Sequence, residues 1–285
     1  MELREDKKLC EVAQVLLQEV LEAIGVENRA EVTKIIFSTL HKATNQKDWE
    51  RQSYQLLSPL VKPEILKLHW QDRADRIVSW FKSYLKSPVF EFGCDDGILG
   101  KTIKENGFSV TLSDVFEHEN IRSLDLPFYL FKERKELPIS EGSFSSVVLS
   151  SVLHHCNDPV DTIRESKRLL GNDGLILVSE SVYGLNEDDL RGAPGRLHTN
   201  KFAGLSADQQ LGINIFFEII YHKILNFNER EEEMINIPYN YLPAKEWPHW
   251  FEAQGLQTLK WWPIGISHKI GPLCHAIYIL KKTAA

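Results

Sequence analysis

The sequence of 285 residues contains few cysteines and no excess of positive charge. The four cysteines, Cys10, Cys94, Cys156 and Cys274, lack the spacing of a metal site or a disulfide framework, which is typical of a protein from a reducing compartment. The formal net charge is −7, whereas a nucleic-acid-binding surface needs clustered lysines and arginines. We therefore expect no metal and no nucleic-acid partner.

Long apolar runs are also missing. No stretch is long enough to span a bilayer, and the charged start from Met1 to Lys8 does not resemble a signal peptide. Hydrophobic residues make up 43% and charged residues 26% of the chain, as in an ordinary globular protein. We therefore predict a cytoplasmic protein with no membrane partner. Its length allows one large domain or one domain with an appendage.

Glycine is nearly absent from residues 1–85, where Gly25 is the single example. Apolar residues recur there at helical spacing, from Leu9 to Ile24 and again from Val32 to Leu40. A third helix is predicted from Asp72 to Leu85. The sequence thus predicts an N-terminal helical module.

The most informative glycines lie between Pro88 and Gly100. A short apolar strand containing Glu91 turns at Gly93 and Gly97 and enters a predicted helix. In a parallel α/β fold such a turn lies at the carboxyl edge of the sheet, where ligands bind. Glycine lets the backbone approach a ligand closely because it has no Cβ.

Two aspartates, Asp95 and Asp96, make this turn acidic. A pyrophosphate needs the bare, positive end of a helix, so these carboxylates oppose a dinucleotide. They suit a nucleoside cofactor without phosphate and with positive sulfonium and amino groups, such as S-adenosylmethionine. About twenty residues beyond Gly93, the second predicted strand ends on Asp114, which can accept hydrogen bonds from both ribose hydroxyls.

Further motifs follow the glycine loop in a recognisable order. They are Leu137-Pro138-Ile139, the strand Ser143 to Leu149, the turn Leu153-His154-His155, the helix Thr162 to Leu170 after Asp158 and Pro159, and the strand Leu175 to Glu180. In this order the motifs resemble those of the class I S-adenosylmethionine-dependent methyltransferases, particularly the small-molecule, type 11-like group. The resemblance covers residues 86–182 well and 243–282 more loosely. Asp95 replaces the central glycine of the family loop, and Ser145 replaces an aspartate.

The resemblance implies an α/β fold with a Rossmann-like class I methyltransferase sheet and helices on both faces. Residues 86–285 would form this domain, with the helical module of residues 1–85 before it. A lid insertion is expected at about 184–242, because the family has only a short link there. It contains a predicted helix from Asp208 to Leu225 and would overhang the carboxyl edge of the sheet. The domain then resumes with a helix and two strands, namely Ala244 to Gln254, Leu256 to Trp262 and Cys274 to Leu280.

The resemblance also implies S-adenosyl-L-methionine as cofactor, S-adenosyl-L-homocysteine as product and a small-molecule acceptor. Glu133 matches an acidic residue that the family places near the adenine amino group, but its charged neighbours suit a solvated segment equally well. The cofactor-binding positions would be Glu91, Gly93, Cys94, Asp95, Gly97, Asp114, Val115, Glu133 and Ser150.

Methyl transfer requires an acceptor held in line with the donor and shielded from water. His154, after the fourth strand, is our candidate for a base or an acceptor-orienting group, with a surface or capping role as the alternative. Glu180, at the end of the fifth strand, is a candidate for acceptor binding or for capping a neighbouring helix. A metal site at His154-His155-Cys156 is not expected, because three adjacent residues rarely converge on one ion.

Two functions from other classes compete with this interpretation. One is a non-catalytic S-adenosylmethionine-binding fold that acts as an interaction protein or sensor. The other is an NAD(P)-dependent short-chain oxidoreductase, but its Tyr-x-x-x-Lys helix would need Tyr241 and Lys245 with Pro243 between them. We predict methyl transfer to oxygen or nitrogen of a small, partly apolar acceptor. Whether the protein forms a homodimer stays open.

Overall fold

The computed structural model describes residues 6–132, 134–196, 199–225 and 237–283. The residues form two compact units. The helical unit comprises Met1–His69, Ser181–Ala244 and Pro263–His275, and the sheet unit comprises Trp70–Glu180, Lys245–Trp262 and Ala276–Ala285. The expected division into residues 1–85 and 86–285 stays a prediction.

The helical unit begins with α1 (Lys7–Ala23), α2 (Arg29–Lys42) and α3 (Gln46–Leu57). The first two helices confirm the periodicity of the sequence, and Asp6 caps α1 by accepting a hydrogen bond from the Leu9 amide at 3.0 Å. Helix α3 was not predicted. Its buried face consists of Trp49, Glu50, Ser53 and Leu57, so polar residues interrupt the apolar pattern.

Helix α4 (Pro63–Phe81) contains most of the third predicted helix but begins earlier and ends before Leu85. Beyond it, the helical unit contains α7 (Thr199–Ala203) and α8 (Ala207–Glu218), followed by a π-helical turn at Ile219–Leu225. The single helix predicted from Asp208 to Leu225 is therefore two segments. Residues 226–236 of the expected lid lie outside the described residues.

Helix α8 packs on the N-terminal helices. The Phe216 ring lies 5.4 Å from that of Phe37 and 5.9 Å from that of Trp49, measured between centroids. Gly212 faces Leu9 so closely that an added Cβ would lie 2.9 Å from a Leu9 methyl carbon. The first helices and the inserted segment thus share one apolar core.

The sheet unit contains five parallel strands in the order β3-β2-β1-β4-β5. They are β1 (Val89–Phe92), β2 (Val110–Asp114), β3 (Phe128–Leu130), β4 (Phe144–Ser150) and β5 (Leu170–Ser181). Strand β1 is buried along its whole length, as expected for a central parallel strand covered on both faces.

Helix α5 (Ile98–Glu105) connects β1 to β2, which lies on one side of β1. Helix α6 (Pro159–Leu169) connects β4 to β5, which lies further out on the other side. Right-handed crossovers that run in opposite directions place such helices on opposite faces of the sheet. Asp158 caps α6 through the Val160 amide at 3.1 Å, as the sequence predicts.

Two long strands, β7 (Leu256–Ile266) and β8 (Cys274–Lys282), follow α9 (Trp247–Ala253) and extend the strand order to β5-β8-β7. Their connection is too short for a crossover, so they are antiparallel and the sheet is mixed. In the helical unit, β6 (Gly195–Arg196) pairs with the last two residues of β7.

The predicted α/β class is confirmed. The oxidoreductase alternative fails, because it requires Tyr241 and Lys245 on one helix, whereas residues 237–242 are not helical and α9 begins only at Trp247.

Across the described ranges, no helix combines the length and the apolar character needed to cross a membrane.

Candidate active site

The glycine loop connects β1 to α5 at the point where the strand order reverses, which is the usual ligand site of such sheets. Three loop residues have positive φ, namely Gly93 at 65°, Asp95 at 48° and Gly97 at 81°. Asp95 therefore adopts the left-handed conformation that its glycine counterpart would adopt freely, and aspartate tolerates this region better than most residues.

Side chains contact the two glycines closely. A Cβ on Gly93 would lie 2.6 Å from a Val152 methyl carbon, and one on Gly97 would lie 2.8 Å from the Ile121 methyl. Both distances are shorter than any real packing contact, so larger residues cannot replace these glycines without displacing their neighbours. The loop is consequently fixed against the segments that follow β4 and β2.

We expect Gly97→Ala to lower the free energy of unfolding by about 1–3 kcal/mol more than Gly107→Ala. Gly107 is the matched control, because its φ of 91° imposes the same backbone strain while no atom lies within 4 Å of its missing Cβ. Urea unfolding of the two variants gives the difference. Equal destabilisation would show that the loop is not packed as described.

Asp114, the last residue of β2, reaches across to the loop. Its Oδ2 accepts a hydrogen bond from the Asp95 amide at 2.8 Å, and its Oδ1 accepts one from the Val115 amide at 2.6 Å. Burial raises the pKa of this carboxyl, and the same two amide contacts oppose the rise. Each carboxylate oxygen has a second lone pair, so the group can also accept hydrogen bonds from a vicinal diol.

Glu91, on β1, has a buried carboxyl whose Oε2 has no hydrogen-bond partner among the described residues. Its pKa lies well above the usual range because burial disfavours the charged form, and because Asp114 and Asp96 add negative charge nearby. An unsatisfied buried carboxyl inside an acidic loop favours a ligand that brings donors or positive charge. The residues present therefore fit a sulfonium nucleoside better than a pyrophosphate.

The raised pKa of Glu91 predicts a pH dependence of stability. Between its ordinary value of 4.5 and the higher value in the folded chain, the folded state holds a proton that the unfolded state has released. The free energy of unfolding should therefore fall as pH rises through this window. Glu91→Gln removes this contribution, so its stability should fall less steeply than that of the wild type in urea unfolding across the window. Parallel curves would contradict the assignment.

Arg73 was missed by the sequence analysis. This residue of α4 donates from its guanidinium to Ser151 Oγ at 2.8 Å and to Ser150 Oγ at 3.4 Å, both at the carboxyl end of β4. Its positive charge opposes the rise in the pKa of Glu91. Nothing in the sequence separates it from Arg76, which lies on the same helix and forms an exposed ion pair with Asp72.

His154 and Glu180, predicted separately, form a pair. The His154 Nδ1 lies 2.5 Å from Glu180 Oε2, and both side chains are fully buried. The other carboxylate oxygen, Oε1, accepts hydrogen bonds from the amides of Val152 and Leu153 at 2.9 and 2.7 Å. Glu180 thus fixes the turn after β4 and orients the imidazole on it.

The remaining predicted residues differ in their surroundings. Cys94 is buried, and burial raises the pKa of its thiol; its expected cofactor-binding role stays a prediction. Val115 is 65% exposed directly after Asp114. Ser150 lies beside Arg73. Glu133 lies outside the described residues.

The sequence matches a family model described as a methyltransferase domain over residues 64–260, more than half of the chain. No curated protein matches the chain at a significant level.

Several solved structures share a similar chain path. The 1,6-didemethyltoxoflavin N1-methyltransferase of Burkholderia thailandensis, solved with 1,6-didemethyltoxoflavin and S-adenosylhomocysteine, has 16% identity and a TM-score of 0.48, over 75% of this chain and 78% of that one. The [4+2]-cyclase SpnF has 14% identity and a TM-score of 0.48, over 76% and 84%. An S-adenosylmethionine-dependent methyltransferase of Methanosarcina mazei has 16% identity and a TM-score of 0.49, over 72% and 98%.

Proposed function

Because this chain belongs to the methyltransferase domain family and is an S-adenosylmethionine-dependent methyltransferase, we propose that it methylates oxygen or nitrogen of a small, partly apolar acceptor. The observation that supports this most is the acidic loop. The unsatisfied carboxyl of Glu91 and the carboxylate of Asp114 lie at the sheet edge where the ligand of such a fold binds.

Three side chains would hold the cofactor. Asp114 would accept hydrogen bonds from the ribose hydroxyls, and Glu91 with the loop would face the positively charged part of the molecule. Arg73 would pair with the methionine carboxylate, because its guanidinium lies beside Ser151 at the end of β4 and its positive charge acts on Glu91. When bound, S-adenosylmethionine supplies a methyl group already activated by the sulfonium.

His154 would orient the acceptor or accept its proton. With a proton on Nδ1 donated to Glu180, the imidazole carries its lone pair on Nε2, which is the atom able to take a proton from a hydroxyl or an ammonium acceptor. Glu180 would stabilise the imidazolium that results. Glu180 itself is a positioning residue, because its oxygens bind the turn and the ring.

A small acceptor suits the charge of the chain. The net charge of −7 opposes the phosphate contacts that a nucleic-acid acceptor would require. The lid role expected for residues 184–242 stays a prediction.

The proposal is tested by incubating the protein with methyl-labelled S-adenosylmethionine and a small-molecule extract. We expect label in one or more apolar, organic-extractable products, and less label with the Asp114→Ala variant when the cofactor is not saturating. Label found only in protein or RNA would overturn the small acceptor. Binding of S-adenosylhomocysteine without transfer to any fraction would favour the sensor alternative instead.

A further inference from the structure

The carboxyl of Glu91 lies in an apolar part of the sheet unit. Its neighbours on the adjacent strands are Leu112 of β2 and Val148 of β4, both fully buried. A Cβ on Gly100 would lie 2.6 Å from Glu91 Oε2 and 2.3 Å from a Leu112 methyl carbon, so this oxygen faces an apolar side chain and the backbone of α5. Oε2 is buried and has no hydrogen-bond partner among the described residues. An unpaired carboxylate is costly in such a place, and a neutral carboxyl costs far less.

Charged groups from three other elements act on Glu91. Asp114 ends β2, and Asp95 and Asp96 lie in the glycine loop, so three carboxylates disfavour a further negative charge. Arg73 of α4 opposes them. Burial is the largest cause, and together with the carboxylates it holds the pKa of Glu91 well above its usual range. Without a ligand, Glu91 therefore keeps its proton to a higher pH than an exposed glutamate does.

The other ionisable groups of the loop and of α5 do not add positive charge at Glu91. The Cys94 thiol stays neutral, because burial raises its pKa. The two lysines of α5 form ion pairs at the surface, Lys101 with Glu105 at 2.8 Å and Lys104 with Asp125 at 3.8 Å. A cation that binds at the loop would therefore be a new positive charge beside a neutral carboxyl.

The cofactor and the product of methyl transfer differ in charge at one atom. The sulfur is a cation in S-adenosylmethionine and neutral in S-adenosylhomocysteine, whereas the amino, carboxylate and ribose groups are common to both. A nearby positive charge favours the ionised form of a carboxyl, and it does so more strongly in a desolvated site than in water. A carboxyl that ionises only beside the sulfonium would respond to one ligand and not to the other.

We propose that Glu91 distinguishes the cofactor from the product by its protonation state. Its carboxyl is protonated in the free protein and in the product complex, and it releases its proton to solvent when the sulfonium binds. Once the methyl group has left and the sulfur is neutral, the carboxylate takes a proton back from solvent. One proton thus leaves and one returns in each cycle. This inference rests on the proposed function and gives Glu91 a specificity-determining role in it.

The test measures proton release in titrations with S-adenosylmethionine and with S-adenosylhomocysteine, both without acceptor. Calorimetry in two buffers of different ionisation enthalpy gives the number of protons released. Between about pH 5.5 and 7, the wild type should release about one proton more with the cofactor than with the product. The dissociation constant of the product divided by that of the cofactor should rise about tenfold across this range, because release of a proton favours binding at higher pH.

Glu91→Gln keeps the shape of the side chain and cannot ionise, so both differences should disappear in this variant. Comparison with it also removes any proton that the amino group of the ligand exchanges. A proton exchanged at Asp114 is common to both ligands, because both contain the ribose. The matched control is Asp173→Asn, which removes an exposed carboxylate of β5 and should behave as the wild type does.

Infrared difference spectra of the wild type keep the test decisive if Glu91→Gln does not fold. The band of a protonated carboxyl should disappear on addition of S-adenosylmethionine and persist with S-adenosylhomocysteine. Isotope labels confined to the glutamate carboxyl groups separate this band from those of the aspartates.

Two outcomes would overturn the inference. One is equal proton release with both ligands in the wild type, which would mean that Glu91 does not respond to the sulfonium. The other is a difference that persists in Glu91→Gln. Absence of binding of both ligands would concern the proposed function instead.

Discussion

Replacing His154 by glutamine should lower the rate of methyl transfer by about 10²-fold or more, while the affinity for S-adenosylhomocysteine stays nearly unchanged. Glutamine can still donate a hydrogen bond to Glu180, but it cannot take a proton from the acceptor. The ring lies 2.5 Å from the Glu180 carboxylate and is fully buried, so its orientation is fixed by the fold. Single-turnover assays with a labelled methyl group would measure the effect.

The variant Glu180→Gln distinguishes a positioning role of Glu180 from a purely structural one. Glu180→Gln keeps one oxygen for the amides of Val152 and Leu153 but no longer stabilises an imidazolium. It should lower the rate and shift the rising limb of the pH–rate profile, whereas a purely structural role would leave that profile unmoved.

For the first variant, equal methyl-transfer rates in the wild type and in His154→Gln would assign His154 to packing.

Replacing Asp114 by alanine should weaken the binding of S-adenosylhomocysteine by about 1.5–3 kcal/mol, or roughly 10- to 150-fold. The substitution removes charge-assisted hydrogen bonds to the ribose. It also removes the two contacts that tie β2 to the amides of Asp95 and Val115. Calorimetric titration measures the loss directly.

The control is Asp173→Ala, because Asp173 is an exposed aspartate near the start of β5 with only a loose ion pair to Lys281. This variant loses the same charge and should bind S-adenosylhomocysteine as the wild type does. An unchanged affinity in Asp114→Ala would remove Asp114 from the cofactor site.

Much of the sheet could be predicted because its signals are local. Asp158 and Pro159 define the start of α6 within a few residues, and the apolar runs define β1, β4 and β5. Helix α3 could not be predicted, because its buried face includes Ser53 and Glu50 and packing in the helical unit outweighs its weak periodicity. The π-helical turn after Glu218 was missed, because the apolar spacing predicts one unbroken helix from Asp208 to Leu225.

The site was predictable where a residue type and a strand end coincide. Glu91 and Asp114 follow from their positions on β1 and β2, but the missing partner of Glu91 Oε2 is visible only once the surrounding atoms are placed. Arg73 is a long-range feature, since its contacts with Ser150 and Ser151 span 77 and 78 residues. Asp95 stands where the family loop usually has a glycine. The structure explains that preference, because the backbone at Asp95 has a positive φ of 48°, which glycine adopts without strain.

The central claim, an acidic loop that binds a sulfonium nucleoside rather than a dinucleotide, is tested most directly by two calorimetric titrations of the wild-type protein. Injection of S-adenosylhomocysteine should give saturable binding, and injection of NAD should give none. Binding of NAD with no response to S-adenosylhomocysteine would contradict the account.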